Sequence, residues 1–194
     1  MDLFTEALEQ LTTLLAQVRQ IGLHEPTAMT LATADRDGRP SARTVLLKGV
    51  DADGLVFFTN SESRKGEQLL ANPYAAICFH WDALKQQVHL EGPVAPVSTA
   101  ESDAYWETRP RKSQIGAWAS QQSRSLVRRI DLVTQIVKLT AKFLGRPIPR
   151  PPYWQGFRLQ PERIEFWHAR PFRLHERILY QRHGDTWTKE LLYP

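Results

Sequence analysis

Residues 28–60 read AMTLATADRDGRPSARTVLLKGVDADGLVFFTN, and this stretch decides the fold. Short runs typical of β-strands lie at Ala28–Ala34, Ser41–Val50 and Leu55–Asn60. The connecting segments, Asp-Arg-Asp-Gly and Asp-Ala-Asp-Gly, are rich in residues that favour tight turns. This spacing predicts an antiparallel meander and favours its closure into a barrel.

The rest of the chain adds helices and further strands to this meander. Apolar residues at helical spacing predict an N-terminal helix at 3–21, with Asp2 as its N-cap. Helical segments at about 99–144 are expected between strands, and the last of these, Leu126–Leu144, should point Ile130, Val133, Val137 and Leu144 inward. The remaining strands are expected at Tyr74–Trp81, Gln86–Val97, Trp154–Leu159, Ile164–His168, Arg173–Gln181 and Trp187–Leu192. We therefore expect residues 1–194 to form a single α+β domain, a mostly antiparallel split β-barrel with flanking helices.

Composition restricts the class of protein. Hydrophobic residues make up 42% and charged residues 24% of the 194 residues, which is typical of a globular protein. The single cysteine, Cys78, excludes an internal disulfide and suits a reducing cytoplasm. No apolar run is long enough to span a membrane, and the N-terminal region does not resemble a secretory signal. A cytoplasmic protein without a membrane partner is expected.

Two basic clusters could bind anions. Arg64 and Lys65 lie in the first turn of a short helix that a serine caps, at the end of the helix dipole that is unfavourable for cations. Either both side chains reach solvent or a phosphate binds there. Arg173, His175 and Arg177 alternate along a predicted strand, so they would share one face. That face is either solvated or packed against an anion.

Other basic and hydroxyl residues extend this pattern. Arg43 and Lys48 are five residues apart on one strand, so regular β geometry directs them to opposite faces and to different groups. Tyr105, Arg109 and Ser113 recur every four residues and would share a helical face if the helix continued through the intervening proline. Two phosphate-bearing ligands would use such a set, and a nucleic-acid backbone could use it also.

Several common catalytic motifs are not found in the sequence. The six histidines are scattered without a metal-ligand spacing, so no metal site is expected. The sequence contains no Gly-rich dinucleotide fingerprint, no Walker loop and no Gly-x-Ser-x-Gly elbow. A zinc enzyme, a nucleotide hydrolase and a serine hydrolase are therefore disfavoured.

From about residue 26 to residue 194, the chain resembles the pyridoxine (pyridoxamine) 5′-phosphate oxidase family. The motifs that carry this resemblance are Arg43-Thr44-Val45-Leu46-Leu47-Lys48, Phe58-Thr59-Asn60 with Ser63-Arg64-Lys65, Arg109-Pro110-Arg111 with Ser113-Gln114-Ile115-Gly116-Ala117-Trp118, and Phe166-Trp167 with Arg173-Leu174-His175-Glu176-Arg177. The resemblance implies a homodimer with FMN bound at the subunit interface. It also implies oxidation of pyridoxine or pyridoxamine 5′-phosphate to pyridoxal 5′-phosphate by O2, with release of hydrogen peroxide, and of ammonia from the amine.

The same resemblance implies roles for individual residues. Those implied to bind FMN are Arg43, Thr44, Val45, Leu46, Leu47, Lys48, Phe58, Thr59, Arg64, Lys65, Gln87, Gln122, Ser123, Trp167 and Arg177. Those implied to bind the substrate are Lys48, Tyr105, Arg109, Ser113, Arg173, Leu174 and His175. Arg173 and His175 are also the implied catalytic residues, which would stabilise the anion that develops as the substrate loses a proton.

The sequence departs from the family pattern in two places. Only Met1 and Asp2 precede the first predicted helix, where family members commonly carry a longer arm that helps to cover the substrate. Phe58 stands where tyrosine is common, so any contact through that hydroxyl is missing. A related split-barrel flavin oxidase of the phenazine type is the nearest alternative. A nucleic-acid partner is disfavoured because the arginines are dispersed over several motifs.

Overall fold

The meander predicted at residues 28–60 is present in the computed structural model, which describes residues 2–194. Strands β1 (Ala28–Ala34) and β2 (Pro40–Asp51) pair antiparallel, and β2 pairs antiparallel with β3 (Gly54–Asn60). Asp35 closes the first turn, because its carboxylate accepts hydrogen bonds from the backbone N–H groups of Asp37 and Arg39. These local bonds explain why the turns could be placed from sequence.

Six strands of the described chain close into an antiparallel barrel. The remaining strands are β4 (Tyr74–Trp81), β5 (Gln86–Pro96), β6 (Trp154–Leu159), β7 (Arg163–His168), β8 (Glu176–His183) and β9 (Thr186–Leu192). Around the barrel the order is β4-β1-β2-β3-β6-β5, and β5 pairs back to β4. Strands β7, β8 and β9 extend the sheet outward from β5. The predicted α+β class with a split antiparallel barrel is confirmed.

Strand β5 changes partner along its length, which splits the barrel wall. Its first part pairs with β7, whereas Val94–Pro96 pairs with β6. Gly92 lies just before this change, and a Cβ there would lie 2.0 Å from the carbonyl oxygen of Gln160. Only glycine allows the two backbones to approach this closely.

Helix α1 (Leu3–Gln20) packs against the sheet next to the main core. Asp2 caps it, as predicted, because its carboxylate accepts a hydrogen bond of 2.9 Å from the backbone N–H of Thr5. The hydroxyl of Tyr180, a fully buried residue of β8, donates to Glu6 at 2.8 Å. The core therefore extends from the barrel interior to the buried face of this helix.

Four further helices lie at α2 (Arg64–Ala71), α3 (Thr99–Thr108), α4 (Arg111–Ala119) and α5 (Arg129–Lys142) within the described residues. The last three cover a second apolar cluster that includes Trp106, Ile115, Phe143 and Trp154. The indole N–H of Trp106 donates to the carbonyl oxygen of Ile148 at 2.7 Å, which ties α3 to the connector before β6. None of the helices within residues 2–194 is long and apolar enough to cross a membrane.

The predicted inward face of α5 is wrong. Ile130, Val133, Val137 and Leu144 are between 44% and 77% exposed, whereas Phe143 is buried in the second cluster. No residue of α5 is buried, although Leu139 packs against the second cluster, and helical periodicity alone does not decide which apolar positions face the neighbouring helices.

The predicted strand at 173–181 begins too early. The structure has a turn of 3₁₀ helix at Pro171–Arg173, and β8 starts only at Glu176. Phe172 and Arg173 have positive φ angles of 58° and 62°, which no β-strand allows. Arg173 and His175 therefore precede the strand and do not share a strand face with Arg177.

Candidate active site

A cavity of about 600 Å³ lies between the barrel strands β2 and β3 and the helices α3 and α4. Its lining includes eleven of the predicted site residues, namely Thr44, Val45, Leu46, Lys48, Phe58, Thr59, Lys65, Tyr105, Arg109, Ser113 and Gln122. Leu47 is buried in the main core, so its side chain points away from the cavity. The motifs that are separate in sequence thus converge on one site.

The first cationic group, which we call the α2 cluster, consists of Arg43, Arg64, Lys65, Gln122 and Ser123, of which Lys65 and Gln122 line the cavity. Lys65 lines the cavity and donates from Nζ to Gln122 Oε1 at 2.9 Å. The backbone N–H of Arg64 donates to the hydroxyl of Ser123 at 3.2 Å. The start of α2 is thereby joined to the segment that follows α4, although 57 residues separate Lys65 from Gln122.

Ser63 fixes the start of α2 through hydrogen bonds of its hydroxyl group. Its side-chain oxygen accepts from the backbone N–H of Gly66, as an N-cap does, and also from Lys65 Nζ at 3.1 Å. The same hydroxyl donates to the carbonyl oxygen of Asn60 at 2.6 Å. One serine therefore sets both the helix start and the position of the lysine.

Arg43 brings a further positive charge to the α2 cluster from strand β2. Its guanidinium donates to the hydroxyl of Thr33 at 2.7 Å and to the carbonyl oxygen of Leu31 at 3.1 Å. Burial, together with the nearby charge of Arg43, lowers the pKa of Lys65 to about 8. Burial and the charge of Arg64 likewise lower the pKa of Arg43. Cations held together at a helix N-terminus fit a phosphate, which would offset their repulsion.

The second group, which we call the α3–α4 cluster, consists of Lys48, Tyr105, Arg109 and Ser113. The Arg109 guanidinium lies 4.8 Å from the ring centroid of Trp154, and its Nε is buried without a hydrogen-bond partner within residues 2–194. Burial lowers the pKa of Arg109. A half-buried cation with an unused donor, beside two hydroxyl groups and a lysine that line the same cavity, suits a second anion.

The helix does not continue through Pro110, so the condition for a shared helical face is not met. Helix α3 ends at Thr108 and α4 begins at Arg111, because proline cannot extend the preceding turn. Tyr105, Arg109 and Ser113 nevertheless line one cavity. The bend between α3 and α4 brings these three residues together, although they do not share one helical face.

Aromatic rings form one wall of the cavity. Phe58 stacks on Tyr105 with ring centroids 4.1 Å apart and on Trp154 at 5.1 Å. The sequence did not mark Trp154 as a site residue. Its pairing opposite Asn60, between β3 and β6, is what brings it beside Phe58. Only the strand register, which joins segments far apart in sequence, could have shown this.

Six further predicted residues form a separate surface, which we call the β7–β8 face. They are Gln87, Trp167, Arg173, Leu174, His175 and Arg177, and none of these six lines the cavity of the described chain. Gln87 lies opposite Trp167, and Trp167 lies opposite Arg177, in neighbouring strands. The imidazole of His175 packs 4.6 Å from the Trp167 ring, measured between centroids. Of the predicted site residues, eleven line the cavity and six form this face, whereas Leu47, Arg43, Arg64 and Ser123 belong to neither set.

His175 is held in a defined orientation beside Trp167. The backbone N–H of Arg170 donates to its Nδ1 at 3.3 Å. A neutral imidazole that accepts at Nδ1 carries its proton on Nε2, so Nε2 is a donor. This geometry lets His175 donate a hydrogen bond to a group that faces it.

Residues 14–168 match the family described as Pyridoxamine 5′-phosphate oxidase, and residues 154–194 match the Pyridoxine 5′-phosphate oxidase C-terminal dimerisation region. The chain belongs to the pyridoxamine 5′-phosphate oxidase family. It is therefore an oxidoreductase, and the resemblance seen in its motifs is confirmed.

Two curated relatives extend this match over most of their length. The chain is 56% identical over 176 residues to the pyridoxine/pyridoxamine 5′-phosphate oxidase of Rhodospirillum rubrum, covering 88% of each chain. It is 49% identical over 189 residues to the enzyme of the same name from Myxococcus xanthus, covering 97% of this chain and 92% of the relative.

Solved structures share the fold. PhzG from Burkholderia lata 383, in complex with tetrahydrophenazine-1-carboxylic acid, superposes with a TM-score of 0.91 at 37% identity, covering 96% of this chain and 91% of PhzG. A pyridoxamine 5′-phosphate oxidase-related, FMN binding protein from Nostoc punctiforme superposes with a TM-score of 0.76 at 21% identity, covering 96% of each chain. The second likeness supports the fold alone.

Proposed function

We propose that this enzyme oxidises pyridoxine 5′-phosphate or pyridoxamine 5′-phosphate to pyridoxal 5′-phosphate, with FMN as cofactor and O2 as electron acceptor. The observation that carries the proposal is one cavity lined both by Lys65 of the α2 cluster and by Lys48 and Arg109 of the α3–α4 cluster. A reaction between a phosphate-bearing cofactor and a phosphate-bearing substrate needs two such groups beside one reaction site. The names of the curated relatives support the same substrates.

FMN fits the α2 cluster and the strands beside it. Arg43, Arg64 and Lys65 would hold its phosphate at the N-terminus of α2, where backbone N–H groups also point. Gln122 and Ser123 would complete that end. The edges of β2 and β3 that carry Thr44, Val45, Leu46, Phe58 and Thr59 would lie along the rest of the cofactor. When bound, FMN supplies the redox chemistry, taking a hydride from C4′ of the substrate and passing the electrons to O2 to form hydrogen peroxide.

The substrate phosphate fits the α3–α4 cluster. Arg109 would use its buried and unsatisfied Nε together with Lys48 and the hydroxyls of Tyr105 and Ser113. Lys48 lines the cavity, whereas Arg43 donates to Leu31 and Thr33 elsewhere, which supports the view that the two cations would bind different phosphates. Strand β2 has a bulge at Lys48, which helps to turn its side chain away from the regular register.

The β7–β8 face would complete the site from a second copy of the chain. Five of its six residues lie within residues 154–194, the region that matches a dimerisation region. Phe172 and Leu174, beside Arg173, are 93% and 66% exposed in the single chain, which suits burial against a partner. We therefore propose a homodimer with each FMN at the interface, contacted by Gln87, Trp167 and Arg177 of the opposite copy.

Arg173 and His175 would then face the substrate ring. The Nε2–H group of His175 and the guanidinium of Arg173 can donate to an oxygen or nitrogen that gains negative charge as the substrate loses its proton. For an amine substrate, the oxidised carbon would be an imine, which water converts to the aldehyde and ammonia. Neither residue needs to act as the base in this scheme.

The visible spectrum of the purified enzyme tests the proposal. We expect a flavin spectrum that bleaches when pyridoxine 5′-phosphate is added without air and returns when air is admitted. Unphosphorylated pyridoxine is the matched control, and it should bleach the flavin far more slowly because the α3–α4 cluster has no phosphate to hold. A colourless protein would contradict the cofactor. A flavin that bleaches with tetrahydrophenazine-1-carboxylic acid, the compound bound to PhzG, and not with pyridoxine 5′-phosphate would favour oxidation of that type of substrate instead.

A further inference from the structure

Glu165 is a buried carboxylate that no part of the proposed reaction uses. It lies on β7, opposite Leu179 of β8 and His89 of β5, and the residue is only 6% exposed. An acidic side chain is rarely buried to this extent unless cations pair with it. The cations that pair with Glu165 therefore indicate what role the buried carboxylate has.

Two arginines hold this carboxylate, and one of them belongs to the β7–β8 face. Arg177 donates from Nε to Oε1 at 2.7 Å and from Nη2 to Oε2 at 3.1 Å, a two-pronged contact. Arg163 donates from Nη2 to Oε2 at 3.0 Å. Burial by itself would raise the pKa of Glu165, but the bonds from Arg177 and Arg163 outweigh burial and lower it. Glu165 is therefore ionised at neutral pH.

The remaining donors of Arg177 are limited in number and in direction. A guanidinium has five N–H groups, and two of those on Arg177 bind Glu165. A third, on Nη1, donates to the backbone carbonyl oxygen of Tyr193 at 3.0 Å. Contacts at three nitrogens fix the plane of the group. Within residues 2–194 this leaves two N–H groups, one on each terminal nitrogen, to meet a ligand.

The charge of Arg177 is also largely balanced. Glu165 compensates it directly, and Arg163 has a second carboxylate nearby, since its Nε lies 3.6 Å from Glu91 Oε1. Two arginines and two glutamates thus form a group without net charge. An arginine in such a group is better suited to donate directed hydrogen bonds to a neutral acceptor than to attract a phosphate.

We propose that Glu165 is a positioning residue that fixes the guanidinium of Arg177 so that its two free N–H groups meet an uncharged acceptor of the flavin ring. This inference rests on the proposed function, because it takes Arg177 to contact FMN across the dimer interface. It assigns Arg177 to the carbonyl oxygens or nitrogens of the ring and leaves the phosphate to the α2 cluster. Glu165 would touch neither FMN nor substrate.

The test measures how fast FMN leaves the holoenzyme, followed by the fluorescence of released flavin, in four variants. They are Glu165→Gln, Arg177→Gln, the double variant of both, and Arg163→Gln. We expect Glu165→Gln to release FMN about tenfold faster than the unaltered enzyme, close to Arg177→Gln, because a misaligned donor loses its bond. The double variant should be no faster than Arg177→Gln alone, since Glu165 acts through Arg177. The flavin absorption band should shift in Glu165→Gln, in Arg177→Gln and in the double variant, but not in Arg163→Gln.

Arg163→Gln is the matched control, because it removes the other arginine bound to Glu165 and leaves the contact with Arg177 intact. It should lose thermal stability to a similar degree as Glu165→Gln while its FMN release stays within about twofold of the unaltered enzyme. Equal acceleration in Arg163→Gln and Glu165→Gln would overturn the proposal, and so would unchanged release in Glu165→Gln or additive effects in the double variant. If Arg177→Gln itself released FMN at the normal rate, Arg177 would not contact the flavin, and both this inference and that part of the proposed function would be rejected. A rapid release in Arg177→Gln with none in Glu165→Gln would leave the proposed function standing and reject only the role of Glu165.

Discussion

At the scale of single residues, the site concentrates positive charge where the chain itself gives little to balance it. Lys65 is buried in the α2 cluster near Arg43, and its pKa falls to about 8 for that reason. Arg109 is half-buried against Trp154, and its Nε is buried without a hydrogen-bond partner within the described residues. Such positions reduce the stability of the empty protein and increase its affinity for an anion, because the same charges repel one another until the anion arrives.

The lowered pKa of Lys65 predicts how pH affects cofactor binding. In the ligand-free enzyme, Lys65 loses its proton at about pH 8, below its ordinary value of 10.5, so between these values the folded chain holds fewer protons than the unfolded chain. The stability of the ligand-free enzyme should therefore rise with pH across that window. FMN binding needs the protonated lysine, so its affinity should fall as pH rises above about 8, by at most about tenfold per pH unit.

Titration of the apoenzyme with FMN from pH 6.5 to 10 measures this effect. Lys65→Arg is the control, because arginine keeps its charge throughout this range and should remove the decline. An equal decline in both proteins would show that another group causes the pH dependence.

At the scale of secondary structure, the start of α2 serves both stability and binding. The hydroxyl of Ser63 caps the helix and accepts from Lys65, so the same atom orients the backbone N–H groups and the lysine. Ser98 caps α3 in the same way, accepting from the backbone N–H of Glu101 at 3.0 Å, but it is not among the residues that line the cavity. Comparing the two serines therefore separates the effect of a lost N-cap on stability from the effect of a displaced Lys65 on ligand binding.

We expect Ser63→Ala and Ser98→Ala each to lower the free energy of unfolding by about 1 kcal/mol through loss of an N-cap. Only Ser63→Ala should also weaken FMN binding, because Lys65 and the first turn of α2 lose their fixed position. Thermal unfolding and FMN titration of the two variants check this pair of outcomes. Equal FMN affinity in both variants would mean that the α2 cluster does not bind the cofactor.

At the scale of the whole molecule, the cavity and the β7–β8 face lie apart in one chain. A site that needs both is complete only where the cavity of one copy meets the face of another. Such a shared site can be tested with a heterodimer in which one chain has a substituted cavity and the other a substituted face. One of the two sites in that heterodimer then contains no substitution.

We expect Lys48→Met and Arg173→Leu each to abolish most of the turnover of pyridoxine 5′-phosphate. A heterodimer of the two should recover about half of the normal activity, since one of its two sites joins an intact cavity to an intact face. Two different affinity tags on co-expressed chains would isolate this heterodimer for assay. A heterodimer no more active than its parents would show that each site lies within a single chain.

Local chemistry in the sequence determined much of the fold and of the site. Asp2 and Ser63 predicted helix starts, and the Asp-rich turns predicted the meander, because capping and turn hydrogen bonds act within a few residues of the chain. Beyond this local chemistry, the family resemblance that the motifs carry implied eleven of the residues that line the cavity. Residue type and spacing were sufficient wherever the interaction is local.

Tertiary structure alone decided the remainder. The exposed apolar face of α5 and the late start of β8 each depend on packing or backbone geometry that periodicity does not encode. Trp154 reaches the cavity, and Glu165 reaches Arg177, only through the register of strands that are distant in sequence or meet across a hairpin. The physical reason is that a period describes the faces of one element, whereas the choice of buried face and of contact partner belongs to the whole molecule.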